Sequence, residues 1–349
     1  MDEREVGANL EKTRDGKISV IAAQRARKFY DDNLSLCMEA HGYYKRYCDH
    51  LNEYVCPPVQ VDEEEIRGKV DGQVIFVITS NEIEEGVFLR FYSEQTKGPI
   101  PSFMVVSPKP QVYHVIAKEK YTIVHTHTKR TGDEFTRRAI NQGSLIFCIS
   151  HIVLLGICYG IDYMKQKMCS AIIADDVRGY RVNFRDNVDG ETTFEPEIEF
   201  EESPDSRLIG TISNFARYCH PDRSALSCEA GDSIHVQVGK VLSANCLMSS
   251  EQVKKAVVES IGDSKNRPLG GEMEACGIFK SSIFENQGLK KWLLIKSICD
   301  WGAGKNSLCP EDTSKGEQIK NALQSLAMLN SCEVFKWLLD EGQICEGGK

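Results

Sequence analysis

Acidic residues at the ends of apolar runs are the groups in this sequence with the means to do chemistry. Glu272 and Glu274 stand two residues apart in PLGGEMEACGIF, Pro268 to Phe279, where a glycine pair and a polar junction give way to an apolar stretch. Asp300 follows the hydrophobic run of WLLIKSICDWGAGK, Trp292 to Lys305. An acid placed directly after a buried strand is held at the mouth of the sheet, where ligands of open α/β sheets bind. Glycines ahead of an acid pair let backbone come close to a ligand. Glu84 lies in the first turn of a helix that follows the strand QVIFVIT. There it reads either as a charge favoured by the exposed amides and the helix dipole or as a base that activates water. The pattern points to a pocket in which one carboxylate holds a ribose and another protonates a leaving group.

These residues need a sheet to bring them together. Gln73 to Thr79 is a continuous β-branched run, as in a strand covered on both faces. VYHVIA and KYTIVHTH supply two strands within residues 98–127, and Gly132 to Asn141 predicts a helix with Asp133 as its capping acid. Ile152 to Asp162 reads as a central strand leading into Gly156 and Gly160, without the G-x-G-x-x-G spacing of a dinucleotide fingerprint. CSAIIADDVRGYRV predicts a strand pair turning at Asp175–Asp176, and residues 186–206 an acidic excursion from the fold. A strand, a loop and a helix capped by Ser249 or Ser250 follow. The closing helix carries a capping box at Ser314 and Glu317 and the apolar stripe Ile319, Leu323, Leu326. Strands and helices alternate from residue 73 onward. The expected fold is therefore α/β, one main domain with a central mixed, twisted sheet covered by helices on both faces.

Ahead of it, helices are predicted over 18–30 and 34–54, and Cys56 to Gly68 reads as a linker or helix start outside the main sheet. The division expected is a helical N-terminal extension, 1–68, and an α/β domain, 69–342. Cys37 and His41 share a helix face, but their surroundings match no closed four-ligand site, so neither a metal nor another cofactor is expected.

Size and charge bound the function. The chain has 349 residues, 41% hydrophobic and 27% charged, with formal net charge −9. That balance argues against a nucleic-acid polymer or an acidic membrane surface as partner. The opening MDEREVGANLEKTRDG lacks the pattern of a secretory leader, and the longest apolar run is interrupted by serine, histidine and glycine. The 14 cysteines fall mostly in apolar segments, as buried thiols of a reducing compartment do, so a cytoplasmic location is expected. Basic residues gather at Lys129, Arg130, Arg137 and Arg138, with Arg178 and Arg181 beyond them; near a sheet mouth such groups meet phosphate.

GGEMEACGIF and IKSICDWGAGK resemble the nucleoside phosphorylase superfamily, in the branch that holds methylthioadenosine/S-adenosylhomocysteine nucleosidases and nucleoside phosphorylase-like effector domains. GQVIFVITSNEIEE resembles that family's first strand and acid-bearing turn, VLLGICYGID its glycine-bearing central strand, and GKVLSANCLMSS the segment lining the base pocket. The resemblance runs from about residue 72 to 339 and implies a role for each matched residue. Glu274 would bind the ribose hydroxyls, Met273 would pack under the sugar, and Glu272 would order the pocket or a water. Asp300 would be the general acid at purine N7. Glu84, with Glu85 as the alternative, would orient the attacking water. Leu247 falls where a base-stacking phenylalanine is often found, and Gly160 belongs to the central strand. Apart from the matched residues, the gathered basic groups, Lys129 and Arg178 among them, suggest a 5′-phosphorylated substrate. HTHTKR, His125 to Arg130, departs from the family's glycine-bearing loop.

The implied activity is hydrolysis of the N-glycosidic bond of a purine nucleoside or nucleotide, with adenine as the base and ATP among the candidates. A phosphate-dependent phosphorylase and a non-catalytic nucleotide-binding regulator are the alternatives. The resemblance also implies a homo-oligomer. Such a cleavage leaves positive charge on the sugar and negative charge on the base. It calls for an ionised Glu274, a deprotonated Glu84, and an Asp300 whose pKa burial has raised.

Overall fold

A computed structural model describes residues 20–106, 109–186, 192–219, 221–226, 233–245, 248, 250–261, 267–289, 291–302 and 308–344. The first helix described, α1 (residues 20–32), leads into α2 (Leu34–Asp49) and α3 (Leu51–Tyr54). The run expected to be continuous to Tyr54 is broken at His50, which leaves helical geometry at φ −132°. Next come β1 (Val59–Val61), α4 (Glu63–Arg67), β2 (Gln73–Thr79), α5 (Glu82–Thr96), β3 (Ser102–Val105), β4 (Gln111–Ala117), β5 (Tyr121–His127) and α6 (Asp133–Ile146). After these come β6 (Ile149–Gly160), β7 (Ala171–Asp186), β8 (Thr192–Glu202), α7 (Ser206–Tyr218), β9 (Val236–Ser243), α8 (Glu251–Ile261) and β10 (Gly270–Glu272). The chain closes through α9 (Cys276–Phe279), α10 (Ser282–Gln287), β11 (Trp292–Asp300) and α11 (Thr313–Asp340).

The strands form one mixed sheet of 11, ordered β1-β3-β4-β5-β2-β6-β10-β9-β7-β11, with β8 on β7 and a further pairing between β6 and β11. That last pairing makes β6, β10, β9, β7 and β11 a closed ring, while β2 to β1 remain an open sheet. β6 can serve both because it is long. Its first half pairs with β2 through Ile149 to Leu154, and its later residues pair with β11 through Tyr159 and with β10 at Tyr159 and Gly160. β2, β5, β6 and β11 are mutually parallel where they pair, so their C-terminal ends open on the same side.

Several local expectations are corrected. Val59–Val61 pairs in parallel with Phe103–Val105, so this stretch enters the sheet rather than staying outside it. Residues 98–127 supply three strands, β3 being the short one not foreseen. Asp175–Asp176 is a bulge within the single strand β7, where register shifts between Ala174 and Asp176, and not a turn. The acidic excursion is in large part β8, antiparallel to β7. Its glutamates lie opposite arginines, Glu201 against Arg178 and Glu197 against Arg181, so charge pairing holds an acidic strand in place. Pro196 is tolerated there because β8 pairs on one side only, with β7. Gly132, not Asp133, occupies the cap position of α6. The cap of α11 is Asp312, whose side chain accepts from Lys315 N, two residues ahead of the expected Ser314.

α11 is the main packing helix, with residues such as Leu323, Leu326, Val334 and Phe335 fully buried. One apolar core runs from Ala22, Cys37 and Tyr43 of the N-terminal helices through β2, β6 and β11 to α11. Arg90 of α5 donates to Tyr43 O at 2.6 Å and lies 3.7 Å from its ring centroid, and Tyr43 Oη donates to Glu94 at 2.8 Å. No helix among the described residues is long and apolar enough to cross a membrane.

Candidate active site

A cavity of about 160 Å³ opens at the C-terminal ends of β2, β6 and β11. Glu84, Glu272, Met273, Glu274 and Asp300 all line it. They come from the start of α5, from the β10–α9 junction and from the end of β11. Thr131, Tyr159, Met248 and Gln324 complete the wall. A cavity of about 580 Å³ lies elsewhere, beside α1, and holds none of these acids.

Glu84 is fixed by local sequence. Asn81 caps α5, its side chain accepting from Glu84 N at 3.0 Å. The Glu84 carboxylate accepts from Ser80 N (2.7 Å), Ser80 Oγ (2.8 Å) and, across the sheet, Ile157 N (2.9 Å). A carboxylate has about four lone-pair directions, so three donors leave room for one more. Gly156 makes this approach possible: a Cβ there would lie 2.2 Å from Glu84 Oε1. Gly156→Ala is therefore expected to displace the carboxylate and lower activity by at least an order of magnitude, as misplacement of about 1 Å does in other sites. Turnover near wild type in that variant would show that Glu84's position is not needed. Glu85, the alternative, does not line the cavity and faces His114 at 3.8 Å. Burial works to raise its pKa, but His114, His127 and Lys129 hold its carboxyl below the usual range.

The EME segment folds onto itself. Glu272 accepts from Glu274 N at 2.9 Å and from Ala275 N at 3.1 Å, a tight turn into α9. Glu274 accepts from Lys296 Nζ at 3.0 Å, while Glu272 stands 4.0 Å from the same nitrogen. All three side chains are buried. Burial, and then the charge of Glu274, push Glu272 up to about 7. Burial would also raise Glu274, but Lys296 outweighs it and holds this carboxyl below its ordinary range. Burial works against a charged Lys296, yet Glu274, Glu84 and Glu272 keep its ammonium protonated well above the usual pKa. The two glutamates thus divide into one ionised and one that takes up a proton near neutrality.

This proton has a consequence for stability. With its folded pKa raised from 4.5 to about 7, Glu272 favours folding below about 4.5. That advantage is lost as pH rises through about 7, a change on the order of 3 kcal/mol. Glu272→Gln is expected to gain stability relative to wild type between these values and to hold that gain above them. Denaturant titrations at several pH values check this, and a pH-independent difference would contradict it.

Asp300 is partly buried at the mouth, its Oδ1 accepting from Gly302 N at 2.6 Å and its Oδ2 from Cys299 Sγ at 3.5 Å. Of the other residues singled out by sequence, Gly160 packs beneath Trp301, where a Cβ would come within 2.5 Å of the indole. Leu247 lies outside the described residues. Lys129, at φ 61°, and Arg130 are exposed on the loop that delivers Thr131 to the cavity. Arg137 and Arg138 are both tied to Glu134. Arg178 stands away from the cavity, bound to Ile261 O, Glu201 and Asp176, and Arg181 is bound to Glu197. Among the described residues no group of His, Cys, Asp or Glu is arranged to hold a metal ion.

Sequence reasoning passed over Lys296, Tyr159 and Met248. The signal for Lys296 was present: a lysine interrupting the apolar run WLLIKSIC is buried against acids or not in a strand at all. Tyr159 and Met248 gave no such signal, because nothing local distinguishes a cavity-wall residue from a core one.

The fold is one found among solved nucleosidase structures. It is similar to the 5′-methylthioadenosine/S-adenosylhomocysteine nucleosidase of Helicobacter pylori, with TM-score 0.55 and 15% identity over 77% of this chain and 99% of that one. The futalosine hydrolase of the same organism superposes as well, with TM-score 0.55 and 15% identity over 77% of this chain and 98% of that one. In sequence the chain is 22% identical over 189 residues to a death domain-containing ATP nucleosidase of Amphimedon queenslandica, a match covering 51% of this chain and 34% of that protein. The chain therefore matches about a third of that relative's length. No protein-family model matches the sequence.

Proposed function

We propose that this chain hydrolyses the N-glycosidic bond of a purine nucleoside or nucleotide and releases the free base. The observation that carries the reading is the meeting of Glu84, Glu272, Glu274 and Asp300 at one cavity, with Lys296 beneath them. Glu274, kept ionised by Lys296, offers negative charge and acceptors to the ribose as positive charge develops there. Asp300, at the mouth, donates a hydrogen bond or proton to the leaving base. Glu84 has an acceptor direction left for a water that attacks the anomeric carbon. Tyr159 and Met248 supply an apolar wall for the base or the sugar.

At about 160 Å³ the cavity is smaller than the 300–1,000 Å³ typical of sites that enclose a whole ligand, so part of the substrate lies outside it. The exposed loop bearing Lys129 and Arg130 borders that opening through Thr131, which favours a 5′-phosphorylated substrate. The similarity to an ATP nucleosidase supports ATP as the first compound to try. Incubation with ATP and with adenosine, each with and without inorganic phosphate, tests the reading by chromatography. Adenine released without phosphate is the expected product. Ribose 1-phosphate formed only when phosphate is present would replace hydrolysis by phosphorolysis, and intact substrates throughout would leave a binding protein.

A further inference from the structure

α8 carries a lysine where packing asks for an apolar side chain. Its buried residues are Lys254, Val257, Val258 and Ile261, which share one face of the helix. Ser250 precedes the helix, its Oγ accepting from Val253 N at 3.3 Å. Lys254 is 2% exposed. A lysine is almost never buried to that degree unless its ammonium is partnered, and this one has two partners. Its Nζ lies 2.7 Å from the Glu251 carboxylate and donates to Trp301 O at 2.9 Å.

Trp301 O and Gly302 N belong to one peptide group. Its carbonyl accepts from Lys254, and its N–H donates to Asp300 Oδ1 at 2.6 Å. A buried ammonium and the carboxyl at the cavity mouth therefore hold the two ends of a single peptide plane. A bond accepted by the carbonyl polarises the peptide and strengthens the N–H on its far side, the more so when the donor is charged. The segment is fixed at other points as well. Register between β11 and β6 shifts between Ile298 and Asp300, so Cys299 is the extra residue of a bulge and Asp300 comes opposite Tyr159. The Trp301 ring packs on Gly160. Gly302 takes φ 79°, a conformation open to glycine, and a Cβ there would meet Met248 of the cavity wall at 3.2 Å.

We propose that Lys254 is a positioning residue for Asp300: it holds the Trp301–Gly302 peptide so that the N–H fixes the carboxyl at the cavity mouth. What Asp300 then does to a leaving base rests on the hydrolytic reading of the cavity; the hydrogen-bonded link does not. The other titratable groups around Asp300 are Cys299, 3.5 Å from Oδ2, Cys158 on the neighbouring strand, and Glu84, Glu272 and Glu274 in the same cavity wall. Lys320 of α11 shares a small recess with it. None of these lies on α8, so substitutions at Lys254 and Glu251 leave them in place.

Two measurements on the whole chain test this. The first follows the Asp300 carboxyl by carbon NMR of aspartate-labelled protein, its signal assigned by its absence in Asp300→Asn. Lys254→Met is expected to move the Asp300 titration to higher pH, because the carboxylate loses a strengthened donor and a nearby positive charge. Glu251→Gln keeps the buried lysine and removes the charge that offsets it, so the titration is expected to move to lower pH. The second measurement is base release from ATP. Lys254→Met is expected to lower kcat about tenfold or more with KM little changed, as a displaced catalytic group does. Lys254→Arg, which keeps the charge and the donors, should recover most of the loss. An Asp300 titration identical in wild type, Lys254→Met and Glu251→Gln would overturn the proposal, whether or not base is released. So would an undiminished kcat in Lys254→Met, or a loss carried by KM alone. A wild-type chain that releases no base would instead remove the hydrolytic reading, and the carboxyl titration would still decide the place of Lys254.

Discussion

Asp300→Asn is expected to lower kcat/KM for base release by about 10² to 10⁴, the usual contribution of a positioned general acid. The substitution keeps the shape of the side chain and leaves an oxygen to accept from Gly302 N, the 2.6 Å bond that orients it. What it removes is the dissociable proton. If Asp300 donates that proton to the leaving base, the loss falls on kcat, with little change in KM, because the proton moves in the transition state and not on binding. The pH profile gives a second readout. Wild type should lose rate as pH rises above the acid's pKa, and the variant should lack that limb. Base release that continues unchanged in Asp300→Asn would remove the residue from the chemistry, and a loss confined to KM would make it a binding group.

The second large effect concerns Lys296, and it is read first in stability. Lys296 is 2% exposed and supports Glu274 at 3.0 Å and Glu272 at 4.0 Å, with Glu84 also within its field. Removing one partner of a buried charge cluster leaves the other charges uncompensated, at a typical cost of 3–5 kcal/mol. Lys296→Met, close in length and apolar, is expected to lose about that much in a urea titration at neutral pH. Adding Glu274→Gln to the same chain should return part of the loss, since it removes the carboxylate left without its countercharge. A single-variant cost below about 1 kcal/mol, or no recovery in the double variant, would show that the glutamates do not depend on this lysine. On the proposed function, Lys296→Met also raises the Glu274 pKa, so residual activity should shift toward higher pH.

The two residues differ in how readily sequence discloses them. Asp300 announces itself, because an acid after a long apolar run has few places to go other than a strand end. Lys296 is visible only as an anomaly within that run. Its role is set by β10 and the turn after it, which bring Glu272 and Glu274 back beside β11 from more than twenty residues away. The same limit explains the basic residues. Arg130 and Arg178 look alike in sequence, but Arg178 lies opposite Glu201 on a neighbouring strand, and Arg130 lies on an exposed loop beside the cavity. Which arginine meets its acid at home is a matter of strand register, and register is not written locally.

The corrections to the fold have a common cause. Residues 192–202 are too acidic to predict as a strand, yet their period-two pattern suits the edge of a sheet whose neighbour carries arginines. Val59–Val61 is too short to declare itself without β3 beside it. Asp175 and Asp176 suggest a turn by type, but the partner strand β9 continues past them and makes them a bulge. In each case a pairing distant along the chain overrides the local preference.

By itself the sequence determined that this is an α/β chain, that its parallel strands are buried on both faces, and that acids stand at their ends. These follow from apolar periodicity and from the chemistry of strand termini, which act over a few residues. Only the tertiary structure decided that β6 joins an open sheet to a closed ring. The same assembly gathered four carboxyl groups around one cavity with a lysine under them. The physical reason is that burial and charge interaction depend on distance in space, and the groups concerned lie up to hundreds of residues apart along the chain.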